Sequence, residues 1–205
     1  DIAVNEDSGA HDAAWAIPAS FFVGPDNEQQ THTFSLSSTV TSLAGNTSLF
    51  SVAPAIDPST GAISFTPTKN ANGTATVTVV LKDDDGIANG GIDTSAVHTF
   101  TITVNAVNDD PTFTTGGTVT VKEDSGAYSA PYATGITPGG GTDEAGQTLT
   151  FTLSGYNAAL FATAPSLTSA GELSFTPATD AFGDTEVTAT LSDGTNHVVQ
   201  KFTLS

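Results

Sequence analysis

The feature that most limits the fold of this chain is that its sequence is written twice. Glu6-Asp7-Ser8-Gly9-Ala10 returns as Glu123-Asp124-Ser125-Gly126-Ala127, 117 residues further on. Trp15 falls on Tyr132, Asp26 on Asp143 and Phe34 on Phe151 at the same spacing. Leu49-Phe50 then matches Leu160-Phe161 at 111, and Phe65-Thr66-Pro67 matches Phe175-Thr176-Pro177 at 110. Phe100-Thr101 matches Phe202-Thr203 at 102, so connections shorten in the second copy. A fixed order of matches at a domain-sized period means tandem copies of one unit. The chain therefore divides into repeat 1, residues 1–108, and repeat 2, residues 109–205.

Each copy reads as strands. Residues 74–81 alternate threonine or alanine with Val77, Val79 and Leu81, the period of a strand buried on one face. Residues 97–104 and 148–153 do the same. Thr, Val and Phe suit a pleated surface, while Gly, Asn, Asp and Pro punctuate the gaps. No window sustains helical periodicity. About seven short strands in roughly 100 residues indicate an all-β, immunoglobulin-like sandwich with Greek-key crossings. The expected fold is thus two tandem Greek-key β-sandwiches.

Strand polarity gives the loops an address. Pro111 cannot donate to a ladder and restricts the residue before it, so it separates the two strand patterns. If successive strands alternate direction, Glu6 and residues 108–110 share one end of repeat 1. In repeat 2, Asp143, Glu144 and Asp193 share the end that faces this linker. The carboxylates are expected to converge there, as a solvated hinge or as a hard-cation site. Asp26 and Glu28 with Asp83, Asp84 and Asp85 form a second acidic group, at the opposite end of repeat 1.

Composition narrows the partners. Four basic residues against 22 acidic ones give a net charge of -18, which cannot neutralise phosphates, so nucleic acid and anionic membrane are excluded as partners. Direct membrane insertion is not expected either, since no apolar run approaches spanning length. Only 13% of residues are charged, so the acid is concentrated in a few loops. Cysteine is absent, which removes disulfide and thiolate chemistry.

The ordered motifs resemble cadherin repeats. Asn108-Asp109-Asp110-Pro111 is similar to the end of the cadherin Asp-x-Asn-Asp-Asn-x-Pro linker, and Glu6 and Glu123 to the glutamate that follows strand A. Thr142-Asp143-Glu144-Ala145-Gly146 resembles the Asp-Ala-Asp loop, and Leu191-Ser192-Asp193-Gly194 the Ala-x-Asp-x-Gly loop. Leu160-Phe161 and the run 171–177 look like the bacterial cadherin-like tandem repeats of large surface adhesins. The resemblance implies Ca²⁺ held by Glu6, Asp7, Asn108, Asp109, Asp110, Asp143 and Asp193, with Asp26, Asp83, Asp84 and Asp85 as a second group. Ala106 and Ala145 stand where the family has aspartates, and Thr68-Lys69-Asn70-Ala71-Asn72 replaces an Asp-Arg-Glu loop. One or two ions are therefore expected at the junction, in place of three.

The residue chemistry agrees with calcium over zinc. A hard cation takes six to eight oxygens from carboxylates, amides and carbonyls, which loops rich in Asp, Asn and Gly supply. His11, His32, His98 and His197 are scattered singly, so no zinc cluster is expected. No nucleophile elbow, His-Glu zinc motif or phosphate loop is present, and an enzyme is not expected.

Two functions remain open at this stage. The first is a calcium-stiffened repeat module of a bacterial extracellular adhesin, acting as spacer and adhesion segment. Its partners would be neighbouring repeats of the same chain, with surface polysaccharide or like repeats on another cell as external candidates. The second is a carbohydrate-binding module of a secreted polysaccharide-degrading protein, which requires Trp15 and Tyr132 to form an exposed aromatic strip. The expectation for both is burial in the core, as for the Trp of such sandwiches. Tyr128 and Tyr156 are read as having no equivalent in repeat 1, and so as giving no repeated binding surface, and residues 87–96 form a longer polar loop there. Asp1 aligns with Thr118, and repeat 2 ends within its last strand, so both ends are expected to be cuts in a continuing array.

Overall fold

The computed structural model describes residues 1–15, 33–44, 48–82 and 93–205. It divides into two compact units, Asp1–Val107 with Gly141–Asp143, and Asn108–Gly140 with Glu144–Ser205. Unit 1 carries strands β1 (Ile2–Asn5), β2 (His11–Ala14), β3 (Thr33–Ala44), β4 (Phe50–Ile56), β5 (Ala62–Pro67), β6 (Asn72–Lys82) and β7 (His98–Asn105). One sheet runs β1-β7-β6-β3 and the other β2-β5-β4. β1 lies parallel to β7, and all other pairs are antiparallel. The chain passes between sheets from β1 to β2, β2 to β3, β3 to β4 and β5 to β6, as Greek-key connections do.

The alternation in β6 does what its period requires. Ala75, Val77, Val79 and Leu81 are buried, while Thr74, Thr76 and Thr78 lie half-buried on the outer face. Ile56, Ile63 and Phe65 from the other sheet complete the same core with Ile102 and Val104. Burying each such side chain contributes about 1.5–3 kcal/mol.

Unit 2 repeats the plan with β8 (Thr112–Thr114), β9 (Tyr128–Pro131), β10 (Thr134–Thr137), β11 (Thr150–Ser154), β12 (Phe161–Leu167), β13 (Glu172–Pro177), β14 (Thr185–Ser192) and β15 (His197–Leu204). Its sheets run β11-β14-β15 and β12-β13-β9, with β10 paired to β8. Val119 makes a parallel bridge to Leu204, in the place where β1 meets β7 in unit 1. β9 and β10 are two pieces of one strand, broken where Tyr132 and Ala133 both donate to the Gly171 carbonyl. A Cβ at Gly171 would collide with the Ala133 carbonyl oxygen, and its φ of 88° also favours glycine.

Equivalent rings occupy equivalent places. Trp15 packs on Phe100 at 5.0 Å and Tyr132 on Phe202 at 4.7 Å. Phe50 meets Phe65 edge-on at 5.5 Å, as Phe161 meets Phe175. Tyr132 is buried, and its hydroxyl donates to the Gly117 carbonyl at 2.6 Å. Trp15 is half-buried against the core, less enclosed than expected. Tyr128 does have a counterpart: it stacks on Phe175 where His11 lies over Phe65. Identity of residue type hid that equivalence, and strand register reveals it, because β2 and β9 pair with β5 and β13 alike.

Candidate functional site

The repeated Glu-Asp-Ser-Gly stretch forms a tight turn after β1. Asp7 has φ 59° and Asp124 has φ 58°, a left-handed conformation that Asp tolerates better than most residues. Each uses its carboxylate to hold a second left-handed residue. Asp7 Oδ1 accepts from the Asn70 backbone N–H at 3.0 Å, and Asp124 Oδ1 from that of Asp180 at 3.3 Å. Glu6 is buried, its N–H donating to the Asn105 carbonyl at 2.9 Å. Its Oε1 accepts from the Val107 N–H at 2.8 Å. Glu6 and Asp7 thus face one end of unit 1, tied to the segment that leaves β7.

Residues 108–110 belong to unit 2, where they gather polar groups from two further loops. Asn108 Nδ2 donates to Asp193 Oδ2 at 3.1 Å, and its Oδ1 accepts from Gln147 Nε2 at 2.7 Å. The Asp109 N–H donates to Glu144 Oε1 at 2.5 Å. Asp110 Oδ1 accepts from Asn196 Nδ2 at 2.9 Å. Asp193 Oδ1 closes its own turn by accepting the Thr195 and Asn196 N–H groups, both at 2.6 Å. Pro111, fully buried, anchors the start of the unit beside this group.

Two carboxylates in this group are withdrawn from water. Glu144 is 2% exposed and Asp193 is 7% exposed. Burial pushes the Asp193 carboxyl up, but N–H donors from Asn196, Thr195 and Asn108 outweigh it and hold the pKa below the usual value. Gly139, at φ 141°, makes room: a Cβ there would run into the Glu144 carboxylate and come within 2.7 Å of Asp109 Cβ. The backbone is therefore wrapped closely round these oxygens.

The structure places the expected ligands unequally. Asn108, Asp109, Asp110 and Asp193 come together in unit 2. Glu6 and Asp7 stand in unit 1, and Asp143 is exposed in the turn Gly141–Asp143. Asp26, Asp83, Asp84 and Asp85 lie outside the described residues, as do Glu28, His32 and most of the 87–96 loop. The sequence places Glu144 at this end but the expected ligand set omits it, and Gln147 and Asn196 were not anticipated at all. The adjacent acids Asp143 and Glu144 were the available signal, since a turn can direct only one of them inward.

Every side-chain donor atom offered by Asn108, Asp109, Asp110, Glu144 and Asp193 to a cation would be oxygen, the chemistry a hard cation such as Ca²⁺ takes. Among the described residues no three His, Cys, Asp or Glu side chains stand close enough together to hold a metal. Amide and backbone N–H groups occupy the carboxylates instead. The donor chemistry fits calcium; a closed shell of carboxylates is not formed. No helix among the described residues is long and apolar enough to cross a membrane.

No family model matches the chain. No curated protein matches it. Among solved structures, the first two domains of chicken VE-cadherin are 14% identical, with 99% of this chain and 95% of that chain covered, at a TM-score of 0.39. The first two domains of human protocadherin-24 are 12% identical over 91% and 90%, at 0.40. A SusE-like surface-located polysaccharide-binding protein from the Bacteroides thetaiotaomicron heparin utilisation locus is 13% identical over 88% and 25%, at 0.35. An endo-fucoidan hydrolase of glycoside hydrolase family 107 is 13% identical, and the chain spans about a quarter of its length. None of these likenesses carries a ligand or an activity to this chain.

Proposed function

We propose that this chain is a calcium-binding tandem-repeat module of an extracellular adhesive protein, serving as a spacer rather than as an enzyme. The observation that carries the reading is the convergence of linker residues 108–110 with the buried carboxylates Glu144 and Asp193. Buried carboxylates are costly unless a cation or several N–H donors compensate them. Calcium would take the place of amide donors such as Asn108 Nδ2, with Asn108 Oδ1, Asp109, Asp110, Glu144 and Asp193 as its ligands. Glu6, Asp7 and Asp143 are further candidates, and Asp26, Asp83, Asp84 and Asp85 a second group. A cation held by three successive linker residues would also stiffen the linker backbone.

The carbohydrate-binding alternative needs the repeated aromatic position to be an exposed strip. Tyr132 is buried and Trp15 packs on Phe100, so this position supports that alternative poorly.

Calorimetric titration with Ca²⁺ tests the proposal directly. The expected result is saturable binding at about 10⁻⁴–10⁻³ M, the range of extracellular calcium modules. Asp109→Ala should weaken it. No heat and no Ca²⁺-dependent rise in melting temperature would refute the reading.

A further inference from the structure

Unit 1 carries an open depression of about 710 Å³ beside the turn after β1, and its lining includes Asp7, Ser51, Thr66, Pro67, Thr68 and Lys69. Small-molecule sites are of this size and fix their ligand with a few placed polar groups. The polar groups of this depression have little to do within the fold. The Thr68 hydroxyl oxygen is buried without a hydrogen-bond partner. Lys69 is exposed, and the lysine ion pairs among the described residues are made by Lys82 and Lys201. Asp7 gives Oδ1 to the Asn70 N–H and keeps Oδ2 for another donor. Ser51 donates to the Pro67 carbonyl at 3.2 Å and keeps its own oxygen as an acceptor.

Unit 2 shows that the fold does not require these side chains. Its turn is built alike: Asp124 holds the left-handed Asp180 through its N–H, as Asp7 holds Asn70. The Thr68 N–H donates to the Leu49 carbonyl at 3.0 Å, and the Ala178 N–H to the Leu160 carbonyl at 2.9 Å. Yet Ala162, Ala178 and Thr179 stand in unit 2 at the positions of Ser51, Thr68 and Lys69. Alanine serves the turn as well as Thr68 does, and it avoids the cost of burying a hydroxyl with no partner. A polar group that the fold neither uses nor needs points to a ligand outside the fold.

We infer that this depression binds a neutral saccharide through neighbouring ring hydroxyls, at a place unrelated to the Trp15 and Tyr132 position. Asp7 and Lys69 line one depression without pairing with each other. A sugar hydroxyl is donor and acceptor at once, so it bridges them, donating to Asp7 Oδ2 and accepting from Lys69 Nζ. Both bonds are charge-assisted. The adjacent hydroxyl donates to Ser51 Oγ and accepts from Thr68, whose hydroxyl turns about χ1 from its sealed rotamer to face the ligand. Acidic saccharides are disfavoured, because Asp7 stands beside Lys69 and the chain carries a net charge of -18. The site gives the module an adhesive contact of its own.

The binding does not rest on calcium, so its test is run in EDTA and stands apart from the calcium titration. The full chain is titrated with neutral di- and trisaccharides of glucose, galactose, mannose and xylose while amide chemical shifts are followed by NMR. The amides of Asp7, Thr68 and Lys69 should shift saturably with at least one of these sugars. Thr68→Ala with Lys69→Thr installs the residues of unit 2, and should weaken that binding by about tenfold or more through loss of a hydrogen bond to a charged group. The melting temperature of this double variant should equal that of the wild type. No saturable shift at these amides with any of the sugars, or equal affinity in wild type and double variant, would overturn the inference.

Discussion

Replacing Asp193 by Asn separates the structural role of this carboxylate from its proposed metal role. Oδ1 accepts two backbone N–H groups at 2.6 Å and Oδ2 accepts Asn108 Nδ2 at 3.1 Å. In Asp193→Asn the amide oxygen can still serve the turn, but its NH₂ then faces the NH₂ of Asn108. Two charge-assisted bonds become ordinary ones and one is lost, while the neutral amide is cheaper to bury; the net cost is about 1–2 kcal/mol. For a unit of this size each kcal/mol lowers the melting temperature by about 4–8 °C, measured by scanning calorimetry in EDTA. With about 10 mM free Ca²⁺ and a dissociation constant of about 10⁻⁴–10⁻³ M, the wild-type chain should gain about 1.4–2.7 kcal/mol. A site weakened about tenfold would gain only about 0.4–1.4 kcal/mol. Acid supplies a third reading. The Asp193 pKa lies below the ordinary 3.8, so its contribution is present above that value and is lost as pH falls through the folded value. The difference between wild type and variant in EDTA should therefore shrink below pH 3.8. Equal calcium increments in the two proteins would refute the placing of Asp193 among the ligands.

Tyr132→Phe removes the 2.6 Å bond to the Gly117 carbonyl and should cost the second unit about 0.5–1.5 kcal/mol without altering calcium affinity. Burial first of all pushes the Tyr132 hydroxyl up to about 12 from 10.0, so its contribution is intact below pH 10.0 and lost as pH rises through about 12; ultraviolet titration should lose this late component in Tyr132→Phe. Leu173→Ala, at a position with 0% exposure, should cost about 2–5 kcal/mol and shift only one of two calorimetric transitions. Trp15 fluorescence should be partly shielded from iodide by Phe100 and unmoved by oligosaccharides, a shift with sugar being the result that revives the binding-module reading.

The two-copy plan and its strands were legible in the residues alone. A strand buried on one face must alternate, so the spacing of Val77, Val79 and Leu81 alone marks their inward side. The shifting match spacing also held in space, because Ala75 pairs with Ile102 as Thr185 pairs with Leu204. Period-2 patterning ends where strands end, however, and the candidate site is built from turns. Which of Asp143 and Glu144 points inward depends on the backbone dihedrals around Gly139 and Gly141, with φ of 141° and 77°. No sequence pattern encodes that choice, and the fold settles it by burying Glu144 against the Asp109 N–H. The equivalence of His11 and Tyr128 was hidden for a related reason: either ring covers a phenylalanine, so the position conserves a shape while the residue type is free. Repetition and strand period are local properties of the chain. The partners of a turn carboxylate are set by loops distant in sequence, and only the folded backbone brings them within hydrogen-bonding reach.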